Sequence, residues 1–119
     1  MRSLTNESDF NIDNGVYVVK FWATWCQPCK IYEPTIEKLD SEYNAKSVKF
    51  LSVDIDQVAV LAQKFKIKSL PTLIVFKDGL EVSRIVGVSL ITPIRKEINT
   101  ALNLNEVEEI VLEKENSLC

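Results

Sequence analysis

Two cysteines separated by two residues are the side chains of this sequence best suited to chemistry. Cys26 and Cys29 lie in the segment Trp25-Cys26-Gln27-Pro28-Cys29-Lys30, between an apolar run and a stretch of helical periodicity. A spacing of i, i+3 on the first turn of a helix places both side chains on one side, close enough to form a disulfide. The chemistry that this spacing favours is thiol–disulfide exchange.

The position of the pair at the start of a helix predicts different roles for the two thiols. Unpaired backbone N–H groups and the helix dipole stabilise a thiolate there, so Cys26, the outer thiol, is the expected nucleophile. Cys29 is expected to be more buried and to act as the resolving cysteine, which releases the reduced target. Pro28 has a fixed φ and no N–H group, so it should stiffen the bridge between them.

Three other interpretations of the pair stay open at this point. A structural disulfide would close a very short loop and give much less than the about 3 kcal/mol expected for a loop of about 15 residues. A zinc site would need two more ligands, and the chain has no histidine and one further cysteine, Cys119. The third interpretation is a pair of inert core cysteines. Redox chemistry is favoured over all three, without a metal or other cofactor.

Composition and charge argue against several other functions. The 119 residues fit one domain, and the net charge of −3 is spread over mixed acidic and basic residues, which predicts no binding to nucleic acid or to an anionic membrane. The absence of histidine excludes Cys–His and Ser–His–Asp catalysis within the chain. No segment resembles a signal peptide or reaches the about 18 apolar residues of a membrane span. A reducing, cytoplasmic compartment is therefore expected.

Hydrophobic periodicity predicts the elements that position the pair. Strands are expected at 16–23, 48–54, 72–76 and 80–86, and helices at 27–43, 57–65 and 92–102. A brief edge strand at Leu4 and a short helix within 8–14 are also expected. Pro34 should kink the helix at 27–43, whose predicted apolar stripe is Ile31, Ile36, Leu39 and Tyr43.

The order of these elements predicts an α/β fold with a central mixed sheet of four to five strands and helices on both faces. Crossover helices require parallel pairing early in the chain, and Lys77-Asp78-Gly79 predicts a hairpin late in it. One domain is predicted over 1–104. An acidic extension over 105–119, with five glutamates and one lysine, is expected to continue the last helix, dock separately or stay solvated.

The segment Phe21–Lys30 resembles the active-site segment of the thioredoxin family. Further similarities are Pro34 in the active-site helix, Val53-Asp54-Ile55-Asp56 at a strand end, Leu70-Pro71-Thr72 as the cis-proline loop, Phe76-Lys77-Asp78-Gly79 as the hairpin, and Gly87 in the substrate groove. The resemblance spans about residues 4–103 and implies the thioredoxin fold.

The resemblance also implies a substrate site and partners. Pro71 is expected to be cis, which would place the Leu70 backbone beside the disulfide, where it pairs with an extended target segment. The residues expected to bind the substrate are Trp25, Gln27, Pro28, Leu70, Pro71, Val86 and Gly87. The implied function is a monomeric protein-disulfide reductase that a thioredoxin reductase recharges. A binding module with secondary redox turnover, or a specialised oxidant or isomerase, are the alternatives.

Three positions depart from the pattern of the family. Lys20 stands six residues before Cys26, where the family usually has a buried aspartate that helps move a proton at the resolving cysteine. A charged Lys20 near the sulfurs would stabilise a thiolate, whereas a side chain reaching solvent past the sheet edge would leave that step unassisted. Gln27 replaces a usual glycine, and Ser52 replaces a second buried lysine. Cys119 is expected to be an exposed thiol with no core role.

Overall fold

The computed structural model describes residues 1–102 and places five strands in one mixed sheet. The strands are β1 (Arg2–Ser3), β2 (Val16–Trp22), β3 (Val48–Asp54), β4 (Thr72–Lys77) and β5 (Leu80–Val86), and the helices are α1 (Gln27–Tyr43), α2 (Ala59–Lys64) and α3 (Ile91–Leu102). The strand order is β1-β3-β2-β4-β5. The pairs of β3 with β1 and β2 are parallel, and those of β4 with β2 and β5 are antiparallel, which confirms the predicted mixed sheet.

The middle strand, β2, separates two hydrophobic clusters. Its side chains alternate between the two faces, so Val18 packs with Ile36 and Ile98 beneath α1 and α3. Val19, on the opposite face, packs with Leu61 of α2. Since both faces of β2 are covered, the strand delivers its carboxyl end to the start of α1 in a fixed orientation.

The buried face of α1 differs from the predicted stripe at one position. Its buried residues are Cys29, Tyr32, Ile36, Leu39 and Tyr43, with Pro34 inside the helix. The prediction was wrong for Ile31, which is 74% exposed. Successive helical residues are rotated by about 100°, and Tyr32, one position later, continues the buried spacing instead.

Three predicted elements near turns change in extent. The helix expected within 8–14 is only a 3-10 turn at Glu7–Asp9, and the Asp13 backbone N–H then donates to Asn11 Oδ1. An edge strand forms as β1, but at Arg2–Ser3, just before the predicted Leu4. The helix α2 is shorter than predicted at both ends. The hairpin is confirmed, with Asp78 and Gly79 at φ 49° and 85°.

Some expectations fall beyond this part of the chain. The acidic extension at 105–119 and Cys119 lie outside the described residues. Within 1–102, the helices are too short or too polar to traverse a bilayer.

The correction at Ile31 can be tested by comparing two isoleucines of α1. Ile36 is 0% exposed and Ile31 is 74% exposed. We expect Ile36→Ala to lower the free energy of unfolding by about 2–5 kcal/mol, because it leaves a core cavity. Ile31→Ala should change it by less than about 0.5 kcal/mol. Urea denaturation followed by circular dichroism measures both, and equal losses would contradict the assignment.

Candidate active site

The sulfur pair lies where the chain passes from β2 into α1. The Cys26 backbone N–H donates to the Ala23 carbonyl at 3.1 Å, which closes a turn after the strand. Cys26 is the N-cap of α1, with extended backbone angles, and its Sγ accepts a hydrogen bond from the Cys29 N–H at 3.2 Å. Cys26 and Cys29 form a disulfide with their Cα atoms 5.3 Å apart, as the spacing predicts.

The two cysteines are almost equally buried but line different cavities. Cys26 is 5% exposed and Cys29 is 3% exposed, so the predicted difference in burial is small. Cys26 lines an open cavity of about 550 Å³, called here the groove. Cys29 lines a separate cavity of about 240 Å³ on the α1 side of the sheet, called here the rear cavity. The two cysteines are therefore in contact with different sets of side chains, one set lining the groove and the other lining the rear cavity.

The groove is formed by the start of α1 and by the loops that follow β3 and α2. Its lining residues are Trp25, Cys26, Gln27, Pro28, Ile55, Ile67, Lys68 and Leu70. The sequence analysis missed Ile55, Ile67 and Lys68. Ile55 had a signal, because it lies in the strand-end motif after β3, and it packs against the cysteine cluster. No pattern in the sequence indicated that Ile67 and Lys68 would line the groove.

Trp25 forms one wall of the groove and is held by a side-chain hydrogen bond. Its indole Nε1–H donates to Asp56 Oδ2 at 2.9 Å. The Asp56 N–H in turn donates to Asp54 Oδ1 at 2.9 Å, at the end of β3. The indole is nevertheless 65% exposed, so a large apolar surface is held in place beside Cys26.

The cis-proline loop lies beside the groove. The Leu70–Pro71 peptide bond is cis, as the resemblance implied, and Leu70 packs against the cysteine cluster. The Gly87 N–H donates to the Pro71 carbonyl at 2.8 Å, and Val86, 60% exposed, pairs with Thr72. Pro71, Val86 and Gly87 thus adjoin the groove without lining it. Gly87 has a φ of 83°, which other residues rarely adopt.

The rear cavity contains the departure from the family pattern. Lys20 is 4% exposed and lies on the middle strand, so the alternative in which it leaves past the sheet edge is wrong. The cavity is lined by Met1, Ser3, Lys20, Trp22, Cys29, Lys30, Glu33, Glu37 and Ser52. Lys20 Nζ lies 5.5 Å from the centre of the Trp22 ring. Burial lowers the pKa of Lys20, and the negative charges of Glu33 and Glu37 partly oppose that effect.

Across residues 1–102, there is no cluster of three histidine, cysteine, aspartate or glutamate side chains that could hold a metal ion.

The lowered pKa of Lys20 predicts how stability depends on pH. The unfolded chain keeps this proton up to a higher pH than the folded chain, so Lys20 makes stability rise with pH between its folded pKa and its ordinary value of 10.5. We expect Lys20→Met to stabilise the fold at neutral pH, by an amount that shrinks as the pH approaches 10.5. Urea denaturation of both proteins across that pH range measures the difference. A difference that grows with pH would contradict the lowered pKa.

Comparison with known proteins places these features in a family. The sequence model of the family described as Thioredoxin matches residues 3–100. A thioredoxin of Staphylococcus saprophyticus is 49% identical over 79 residues, covering 66% of this chain and 75% of that protein. One of Staphylococcus epidermidis is 47% identical over 83 residues, covering 68% of this chain and 79% of that protein. The X-ray structure of Fasciola hepatica thioredoxin is 36% identical and superposes with a TM-score of 0.76, covering 85% of this chain and 99% of that one.

Proposed function

The chain belongs to the thioredoxin family and is a thiol–disulfide oxidoreductase, and we propose that it reduces protein disulfides with Cys26 as nucleophile and Cys29 as resolving cysteine. The observation that carries the two roles is the separation of the sulfurs between two cavities. Cys26 opens onto the groove of about 550 Å³, where a substrate segment has room, and Cys29 opens onto the rear cavity. A target disulfide approaching through the groove therefore meets Cys26 first.

The reaction proceeds in two exchanges that conserve thiols and disulfides. The Cys26 thiolate attacks one sulfur of the target disulfide, a mixed disulfide forms, and the first target thiolate leaves. The Cys29 N–H group that donates to Cys26 Sγ stabilises the attacking thiolate. Cys29 then attacks Cys26 Sγ, which releases the second target thiolate and forms the Cys26–Cys29 disulfide seen in the structure. The target gains two electrons and the chain loses them.

The substrate segment binds in extended form beside the cis-proline loop. The ladder between β4 and β5 begins at the pair Thr72 and Val86, so the Leu70 backbone precedes it and is open to pairing with a substrate strand. Pro28 and Gln27 border the same groove from α1. The Gly87 N–H is hydrogen-bonded to the Pro71 carbonyl. Because glycine has no side chain, this side of the loop stays open.

The disulfide product also determines which partners are needed. Each turnover leaves the chain oxidised, so a dithiol donor must return two electrons, and a thioredoxin reductase supplies this chemistry. The partners are thus that reductase and disulfide-containing target proteins, and a monomer in a reducing cytoplasm suffices for both.

The two cysteine roles predict different defects. Cys26→Ser should lower the rate of insulin reduction to the background rate measured without the protein, because no mixed disulfide forms. Cys29→Ser should instead accumulate a covalent complex with the target, because the mixed disulfide is not resolved. Reductase-coupled turnover measures the first effect and non-reducing electrophoresis the second.

Cys119→Ser provides the matched control, because it also removes one thiol. It should retain full turnover. Undetectable turnover in the wild type would favour a binding module, and a trapped complex in Cys26→Ser rather than Cys29→Ser would reverse the two roles.

The groove predicts a defect that depends on substrate size. We expect Trp25→Ala to raise the KM for a protein disulfide by about fivefold or more, since losing an aromatic contact surface costs about 1 kcal/mol or more. A small disulfide such as hydroxyethyl disulfide should show little change. Val60→Ala on α2, 44% exposed, is the control for loss of an exposed apolar side chain. Equal losses on both substrates would contradict a binding role for Trp25.

A further inference from the structure

The rear cavity contains a buried amine that the two exchange steps leave unused. Lys20 is one of four polar or charged residues buried within the described range, and it shares this cavity with the resolving cysteine. We propose that Lys20 accepts the thiol proton of Cys29 across the rear cavity during the second exchange, and that Glu33 and Glu37 pass this proton on to solvent. The inference rests on the proposed role of Cys29.

The helix α1 aligns the sulfur with the two carboxylates. Cys29, Glu33 and Glu37 are spaced by four residues, so they follow one another along one face of α1. All three line the rear cavity. The carboxylates are the more exposed members of this row, and Cys29 is its buried end. The row therefore leads from the sulfur toward solvent.

The strand β2 brings the amine to the opposite wall of the cavity. Lys20 is paired with Ser52 of β3 and Leu73 of β4, so neither neighbouring strand opposes it with a carboxylate in register. Among the described residues, Lys20 forms no ion pair with Glu33 or Glu37 within 4.0 Å. An amine that is not locked to a carboxylate is available to take a proton from elsewhere.

Two other basic groups line the cavity, but one is ion-paired and the other is exposed. The Met1 ammonium is paired with Asp40 at 2.6 Å. The Lys30 side chain is exposed on α1, so its charge is hydrated. Lys20 is therefore the buried amine that lines the same cavity as Cys29.

The rear cavity is large enough to hold water. Its volume of about 240 Å³ accommodates several water molecules, and its lining includes the charged side chains of Glu33 and Glu37. Water can thus carry a proton between the thiol and the amine.

Burial adjusts the amine for this task. It lowers the pKa of Lys20 from its ordinary value, while the negative charges of Glu33 and Glu37 oppose that shift. The thiol proton then moves to the amine, the thiolate of Cys29 attacks Cys26 Sγ, and the target thiolate leaves and is protonated by solvent. Once the thiolate has been consumed in the new disulfide, the ammonium of Lys20 loses its proton to solvent through the carboxylates.

The second exchange can be observed by itself with an aromatic disulfide. Reduced protein in the Cys119→Ser background is mixed with Ellman's disulfide, which releases one coloured thiolate when Cys26 attacks and another when Cys29 resolves. Stopped-flow absorbance then gives a first and a second phase. The first phase tests attack by Cys26, which belongs to the proposed function. The second phase tests resolution by Cys29, which is the step in which Lys20 is proposed to act.

Removal of the amine should slow the second phase at neutral pH and leave the first nearly unchanged. A one-unit rise in the thiol pKa would lower the thiolate fraction about tenfold. The greater nucleophilicity of the more basic thiolate recovers about threefold of that loss. Proton transfer to a positioned group contributes about 100-fold or more. We therefore expect Lys20→Met to slow the second phase by more than about tenfold, with the rates converging at high pH.

Three further variants separate proton transfer from charge and from structure. Lys20→Arg keeps the charge but remains protonated, so its second phase should be slow. Glu33→Gln with Glu37→Gln removes the opposing charges without altering β2, and should shift the pH profile to lower pH. Lys49→Met is the matched control, because Lys49 Nζ lies 5.8 Å from the Tyr17 ring yet outside the rear cavity.

The outcomes are distinct. A wild-type rate in Lys20→Arg, or Lys20→Met slowed by one constant factor at every pH, would overturn proton transfer by Lys20. The absence of a second phase in the wild type would instead overturn the role of Cys29. Cooperative urea unfolding of each variant, with a first phase at the wild-type rate, shows that the fold is kept.

Discussion

The hydrogen bond from the Cys29 N–H to Cys26 Sγ is the interaction on which the site depends. An N-cap side chain accepts from the second or third residue of its helix, and Pro28 at the second position has no N–H to give. The third residue, Cys29, is therefore the donor, and the sulfur that begins α1 is also the one we propose as the nucleophile. In that scheme the resolving cysteine is hydrogen-bonded to the sulfur that it later attacks.

The middle position of β2 determines what surrounds that bond. Alternation along the strand places Lys20 on the face of Val16 and Val18, beneath the helix that begins with the sulfur pair. The antiparallel register of β4 pairs Phe21 with Thr72, which brings the cis-proline loop to the same end of the sheet. Parallel pairing with β3 adds the loop that holds Trp25. The pairings of β2 with its two neighbours therefore place both cavities next to the disulfide.

The sequence predicted the elements better than their partners across space. The bounds of α1, β3 and β5 follow from periodicity, and the local spacing of the cysteines was sufficient to predict their disulfide. Ile31 was misassigned because a short stripe with Pro34 within it fits two neighbouring faces. Ile67 and Lys68 reach the groove through a turn that no local pattern encodes. Helical spacing alone could have placed Glu33 and Glu37 in line with Cys29, but their approach to Lys20 depends on how α1 crosses the sheet.

The lysine changes the charge of the reduced site rather than merely removing an acid. A buried carboxylate beside a thiolate makes two negative charges in a poorly hydrated cavity, and their repulsion opposes ionisation of the sulfur. An ammonium beside a thiolate makes a neutral pair, which the cavity accommodates more readily. If Lys20 carries its charge beside the thiolate, as its proposed role requires, the reduced, ionised form is favoured relative to a chain with an acid at position 20, and stabilising the reduced form would raise the reduction potential. In this proposal, one residue thus sets both the rate of the second exchange and the reduction potential of the cysteine pair.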